Sequence, residues 1–133
     1  MLASLARRLA GRSARSGFAR TLDAARAGDP RAVRRLRGGI IAAAEERLDR
    51  HGTRRQIRRL GPRLAAYRKM QKKRLSERQD LILTKSLLKG GMVTDPAHRA
   101  ALEELQVAQE ERAARQRQEE EMRERDEDQK VRF

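Results

Sequence analysis

The residues best suited to chemistry in this sequence are the arginines and lysines between positions 54 and 78. Eleven of these 25 residues are basic and Glu77 is the only acid among them, so they supply most of the chain's net charge of +14. The eleven are Arg54, Arg55, Arg58, Arg59, Arg63, Arg68, Lys69, Lys72, Lys73, Arg74 and Arg78. Phosphate is the ligand that suits such dense positive charge best. We therefore predict that these residues, termed the basic block, bind nucleic acid.

Apolar residues recur through the same stretch at helical spacing, at Ile57, Leu60, Leu64 and Tyr67. This pattern predicts a helix with one face that packs and several faces that carry cations. A solvated helix face normally mixes both signs of charge. Here six pairs of like charges stand four residues apart, which destabilises a free helix. An anionic membrane surface and an acidic protein are the alternative partners, but nucleic acid explains the lack of acids best.

The chain lacks the patterns that read DNA or single-stranded bases. It has no helix-turn-helix, zinc-finger or basic-zipper layout, and Tyr67 alone provides no platform for stacking bases. What remains is contact of Arg and Lys with the sugar-phosphate backbone, the recognition expected of a protein on folded RNA. The sequence therefore favours RNA over DNA.

No residues combine into a catalytic or metal-binding pattern. His51 and His98 are 47 residues apart, there is no cysteine, and neither Ser76 nor Ser86 has an evident activating partner. Gly38-Gly39 lacks the other residues of a phosphate-binding P-loop. We expect a protein that is not an enzyme, with no catalytic residues, no metal, no cofactor and no small-molecule substrate.

The composition predicts an all-α protein of extended helices with little independent core. Leu, Ile, Val and Phe together make up 25 of the 133 residues, about 19%. Few such residues combined with high net charge are typical of chains that cannot offset their own ordering entropy. The 20 alanines favour helices but bury little area. We therefore expect helices that become ordered against a partner. No apolar run reaches the length of a membrane span, and membrane contact is not expected.

Residues 1–22 resemble a mitochondrial transit peptide. They contain five arginines together with Ser and Thr, and the first acid of the chain is Asp23. Leu2, Leu5 and Leu9 fall on one helical face and arginines on another. Arg-rich, acid-free and amphipathic segments are typical of mitochondrial targeting. We predict location in the mitochondrial matrix. A basic arm that binds nucleic acid without targeting information is the alternative.

Glycine, proline and capping residues divide the rest of the chain. Residues 23–61 are predicted to form short helices, one of them opened by Asp29-Pro30 and broken at Gly38-Gly39. An apolar stripe then runs to Gly52. Thr53-Arg54-Arg55-Gln56 fits the capping box of the next helix.

A long basic and amphipathic helix is predicted over residues 62–91, where Gly90-Gly91 ends it. Its second half holds Leu81–Leu88, the richest apolar stretch of the chain and here termed the apolar cluster. Leu81, Ile82, Leu87 and Leu88 are the candidate residues for docking a protein. An internal contact with the helix at residues 40–48 is the alternative.

Residues 92–133 are predicted to hold a long charged C-terminal helix. Thr94-Asp95-Pro96 repeats the signal of a capping residue followed by proline, and the helical pattern runs to about Lys130. Beyond Gln109 almost every position is charged or Gln. Such a helix is typically one that bridges solvent.

Three stretches carry a family resemblance. They are Tyr67-Arg68-Lys69, Leu83-Thr84-Lys85-Ser86-Leu87-Leu88, and Thr94-Asp95-Pro96-Ala97-His98-Arg99 leading into the charged helix. Together with the transit-like start and the basic middle, they make the chain resemble a mitochondrion-specific, helical mitochondrial ribosomal protein. It is similar to the fungal Pet-type small-subunit protein family and its animal counterpart. The resemblance implies a structural component of the mitochondrial ribosome that contacts ribosomal RNA and neighbouring ribosomal proteins, without catalysis.

The alternative class is an accessory subunit or assembly factor of an inner-membrane respiratory complex. In that setting the basic block would face anionic lipid or an acidic subunit. The apolar cluster would then dock on the complex.

Overall fold

The computed structural model describes residues 17–132, which form five helices joined by short connections. These are α1 (residues 17–27), α2 (Pro30–His51), α3 (Arg54–Lys72), α4 (Glu77–Lys89) and α5 (Pro96–Arg132). No strand occurs between residues 17 and 132, and the predicted all-α class is confirmed. Most of the transit-like segment falls on residues 1–16, so that prediction lies outside the described residues.

Two helical hairpins make up the body of the protein. Helices α2 and α3 are joined only by Gly52 and Thr53 and pack against each other. Helices α4 and α5 are joined by residues 90–95 and pack in the same way. Such short connections make each second helix fold back along the first.

The helices begin at the predicted capping signals. Asp29 and Asp95 each accept a hydrogen bond from the backbone N–H two residues further on, at 3.0 and 2.9 Å. Thr53 and Gln56 form the expected capping box, with distances of 3.0 and 3.2 Å. Each cap satisfies backbone N–H groups that have no partner within the helix. The predicted starts of α2, α3 and α5 are therefore confirmed.

Helix α2 continues through Gly38-Gly39, where the sequence predicted a break. Val33 and Leu36 precede the glycines, Ile40 and Ile41 follow them, and all four are buried. An unbroken helix is what sets these four side chains on one face. Two glycines cost about 2 kcal/mol relative to alanine. Burying four large aliphatic side chains contributes about 6 kcal/mol or more, which outweighs that cost.

Residues 62–91 contain the second half of α3 and the whole of α4, so the prediction of a single long helix over this range is wrong. Helix α3 contains Pro62 but ends at Lys72, and α4 begins after Ser76. The Ser76 hydroxyl accepts a hydrogen bond from Gln79 N at 3.2 Å, and Gln79 Oε1 accepts one from Ser76 N at 3.1 Å. This capping box starts a new helix where the periodicity suggested that the old one continued.

All five helices share one small aliphatic core. Its members are Ala25, Ala32, Val33, Leu36, Ile40, Ile41, Leu60, Leu64, Leu87, Met92, Val93, Leu102 and Leu105. Helix α5 enters this core only through its first turns, and residues 114–131 are exposed at every position. The helices therefore pack on one another, while the second half of α5 extends into solvent.

A buried ion pair joins the two hairpins. Arg37 of α2 is fully buried, and its Nη2 lies 2.5 Å from Oδ1 of Asp80 in α4. Its Nη1 donates to the Asp80 carbonyl at 3.1 Å, and Gln109 of α5 donates to Asp80 Oδ2 at 3.3 Å. Nε of Arg37 has no hydrogen-bond partner, and Nη2 is close to the carboxylate without the alignment of a hydrogen bond. Burial lowers the pKa of the Arg37 guanidinium, and Asp80 offsets part of that effect.

We expect Asp80→Ala to lower the free energy of unfolding by about 3–5 kcal/mol, because it leaves the Arg37 guanidinium buried without a counter-charge. Arg37→Met should cost less, because the Asp80 side chain is 24% exposed and can be hydrated. Urea unfolding followed by circular dichroism measures both changes.

The control for this pair is Arg50→Ala, which removes an exposed contact with Glu46 at 2.9 Å within α2. That loss should be about 0.5 kcal/mol or less. Equal effects of Asp80→Ala and Arg50→Ala would show that the buried pair does not hold the hairpins together.

Candidate nucleic-acid interface

Helix α3 has one face that packs and a much larger surface that does not. Leu60 and Leu64 are buried, while Tyr67 and Gln71 on the same face are half-buried. Their spacing of three and four residues keeps them on the side that packs against α2. Ile57, predicted to belong to this face, is 42% exposed. The rest of the helix circumference is open to solvent.

All eleven residues of the basic block are exposed. Eight lie on α3, which is about 28 Å long at 1.5 Å per residue. Lys73 and Arg74 lie in the connection to α4, and Arg78 lies in the first turn of α4. The structure thus brings the block to the surface of one helix and the segment that follows it.

Few acids neutralise this surface. Among residues 17–132, Arg68 is the one member of the block with a carboxylate within 4.0 Å. Its Nε donates to Glu45 Oε1 at 2.9 Å and its Nη2 donates to Oε2, so that Arg68 ties α3 to α2. The other ten cations of the block have no acidic partner in the part of the chain that the structure describes.

The unpaired cations also repel one another along the helix. Four pairs of like charge stand four residues apart within α3: Arg54/Arg58, Arg55/Arg59, Arg59/Arg63 and Arg68/Lys72. The predicted pairs Lys69/Lys73 and Arg74/Arg78 are separated by helix ends. At roughly 0.2–0.5 kcal/mol each, the four pairs destabilise free α3 by about 1–2 kcal/mol. An anion bound to this surface would remove that penalty.

The apolar cluster faces largely inward. Leu87 is fully buried in the core, so the docking prediction is wrong for this residue, and Leu88 is half-buried and packs against the core. The alternative of an internal contact explains them, because both hairpins need apolar residues from α4 to share one core. Leu81 is half-buried and Ile82 is 51% exposed. Of the four docking candidates, Ile82 is therefore the most accessible to a protein partner.

Two arginines that the sequence analysis did not single out lie beside the basic block. Arg31 and Arg34 of α2 line a cleft of about 450 Å³ together with Lys73 and Arg74. The spacing of three residues between Arg31, Arg34 and Arg37 was the available signal, since it sets all three along one side of a helix. Their nearness to Lys73 depends on the pairing of α2 with α3, which sets the start of α2 beside the end of α3.

The residues considered for other chemistry lie elsewhere. His51 and His98 border the same cleft of about 440 Å³, and the His98 ring lies 6.0 Å from that of Phe18. Ser76 serves as a helix cap. Across residues 17–132, no three His, Asp or Glu side chains are grouped as metal ligands would be. None of the helices in that range is both long enough and apolar enough to cross a membrane.

These features define a class of protein: all-α, with a small aliphatic core and one strongly cationic helix surface. Comparison of the chain with protein-family models, curated proteins and solved structures gives no match. The function is therefore inferred from the cationic surface and its charges.

We expect Leu87→Ala to destabilise the protein by about 2–5 kcal/mol, because it opens a cavity in the shared core. Ile82→Ala, on the exposed side of the same helix, should change stability by about 0.5 kcal/mol or less. Thermal unfolding of the two variants measures the difference. A larger loss in Ile82→Ala would mean that α4 packs through its other face.

Proposed function

We propose that this chain is a structural component of a ribonucleoprotein, the mitochondrial ribosome, and that it binds ribosomal RNA through the basic block. One observation carries the proposal. Eleven exposed cations lie on α3 and the segment after it, and within residues 17–132 only Arg68 has an acidic partner. A surface of this kind needs an external polyanion. Phosphodiesters supply the matching charge at matching density.

The energetics favour a bound state. Repulsion among the cations of α3 is an unfavourable term in the free protein and becomes an attraction once phosphates lie between them. Binding also releases the counterions condensed on the RNA, which is the main source of affinity in contacts of this kind. The protein is therefore expected to become more stable when it binds RNA, by linkage.

The shape of α3 suits contact with the backbone of folded RNA. Its outward surface carries long cations along its length, with Ala65 and Ala66 exposed between Arg63 and Arg68. Small side chains in the middle let a sugar-phosphate strand approach closely while Arg and Lys reach around it. No exposed aromatic ring lies on α3 to stack bases, since Tyr67 is half-buried toward the core. Recognition is therefore of backbone and shape.

A ribosomal setting also accounts for α5 and for the start of the chain. Residues 114–131 extend about 27 Å from the body as an exposed helix with seven acids and five bases. A helix that is polar all round can bridge to neighbouring proteins, and Leu81 and Ile82 offer a small apolar contact beside it. The transit-like composition of residues 1–22 supports the mitochondrial matrix as the location. The role is structural, without catalysis.

We expect the affinity for RNA to fall steeply with salt. If about six phosphates are contacted, the logarithm of affinity falls with the logarithm of salt at a slope near −4 to −5. This corresponds to a loss of about two to three orders of magnitude between 50 and 200 mM salt. Changing Arg58, Arg59, Lys72 and Lys73 to Gln should flatten the slope and weaken binding to unrelated RNAs about equally. Fluorescence anisotropy with labelled RNA measures both.

The matched control changes Arg115, Arg123 and Arg125 to Gln in the exposed half of α5. These arginines lie among acids that already offset their charge, so the slope should change by less than about one. Binding that is insensitive to salt would contradict the proposal. So would a larger effect of the α5 changes.

We expect the tagged protein to co-sediment with mitochondrial ribosomal particles and to leave them after ribonuclease treatment. RNA contacts hold it there, so digestion of the RNA should release it. Sucrose-gradient fractions of a mitochondrial lysate, probed before and after digestion, measure this. Co-migration with an inner-membrane complex that ribonuclease does not affect would instead support the respiratory-complex alternative.

A further inference from the structure

The basic block does not end at α3 but leads into a cleft with a second set of cations. Lys73 and Arg74, the block members in the α3–α4 connection, form one side of this cleft of about 450 Å³. Arg31 and Arg34 of α2 form the other side. All four side chains are exposed. They come from two elements that lie some 40 residues apart in the sequence, and they meet because α2 and α3 pair as one hairpin that sets the start of α2 beside the end of α3.

The acids at this cleft are already engaged. Asp29 caps α2 and accepts a hydrogen bond from Arg31 N at 3.0 Å. Asp80 is held by Arg37, which is buried and lines the cleft, and by Gln109. In the described part of the chain, none of the four exposed cations has a carboxylate within 4.0 Å. The five cations and two acids that line the cleft leave a net charge of +3.

The chemistry of the lining favours a phosphate group. Three of the four exposed cations are arginines, whose planar fork of N–H groups matches phosphate oxygens in pairs. The volume of about 450 Å³ is within the range of ligand sites, roughly 300–1,000 Å³. The ion pair between Arg37 and Asp80 fixes α2 against the start of α4, so that the two sides of the cleft have a defined separation. A charged patch on a mobile segment would lack this preorganisation.

We infer that this cleft is a phosphate-binding site that extends the RNA surface beyond the basic block, with Arg31 and Arg34 as contacts that the block does not contain. The inference rests on the proposed function, because Lys73 and Arg74 belong to both surfaces. An RNA strand that follows α3 toward its C-terminal end arrives at the cleft. The phosphate is either an internal phosphodiester of that strand or a phosphomonoester at its end.

The test uses the full chain and a 12-nucleotide RNA labelled at its 3′ end, made with either a 5′-hydroxyl or a 5′-phosphate. The variant Arg31→Gln/Arg34→Gln is compared with Arg47→Gln/Arg50→Gln, which makes the same change at the same spacing near the other end of α2. Loss of two phosphate contacts should reduce the salt slope by about 1.4 and weaken binding about 10- to 30-fold at 100 mM salt. The control pair should change the slope by less than about 0.5. Circular dichroism checks that both variants keep their helicity.

The two RNAs distinguish the two sources of phosphate. Equal affinity of the wild-type protein for both, with both weakened by Arg31→Gln/Arg34→Gln, assigns an internal phosphodiester. A preference for the 5′-phosphate that is lost in that variant assigns a terminal phosphate. Equal salt slopes for the two double variants would show that the cleft is not a phosphate-binding site. The proposal that the basic block binds RNA would still stand if changing Arg58, Arg59, Lys72 and Lys73 flattens the slope. If RNA binding by the wild-type protein did not depend on salt, both the phosphate-binding cleft and the proposed function of the basic block would be wrong.

Discussion

The contact between Arg37 and Asp80 is the point on which the arrangement of the two hairpins depends. It joins α2 to the first turns of α4, and Gln109 adds α5 to the same carboxylate. A buried ion pair gains little net stability, but breaking it is costly, so it selects one packing among those that a small aliphatic core would allow. Here that selection fixes the start of α4 against α2. The cleft between Arg31, Arg34, Lys73 and Arg74 lies beside this pair, while α3 itself is placed by its packing against α2.

Stability and binding make opposite demands on the same residues. Within residues 17–132 the shared core contains thirteen buried residues and none of them is aromatic, so the free energy of folding that it can supply is modest. The basic block subtracts from that total through repulsion along α3. A neutral α3 would fold more easily but would lose its attraction for phosphate. Under the proposed function, the chain is most stable when RNA is bound, which suits a component held within a larger particle.

Local signals in the sequence predicted the helix starts. The features that were not predicted depend on competition between two signals or on contacts between residues distant in the sequence. Asp29, Thr53 and Asp95 mark helix starts because a cap needs only its own neighbours. The glycine pair in α2 suggested a helix break that does not occur, because burial of the apolar side chains on both sides outweighs the helix-destabilising effect of two glycines. Ser76 and Gln79 form a capping box, but they stand within a helical periodicity that appeared to continue from α3 to α4, so the helix start between them was not predicted. The partner of Arg37 lies 43 residues away, and no periodicity can reveal such a pair, although an arginine at a stripe position of α2 hints that it is buried.

The continuity of α5 explains why the protein does not neutralise its own basic block. Residues 119–128 carry seven acids and two arginines, enough negative charge to bind α3 if they could reach it. They belong to the same unbroken helix as Leu102 and Leu105, which are fixed in the core. A stiff helix carries its acids along its own axis, about 1.5 Å further from the core with each residue. Among residues 17–132, no ion pair joins α5 to the basic block, and its last carboxylate in an ion pair is Glu110, with Lys85 of α4 at 3.3 Å. A flexible tail of the same composition would fold back onto α3 and compete with the proposed RNA, whereas the helix holds the two charges apart and leaves the cationic surface open.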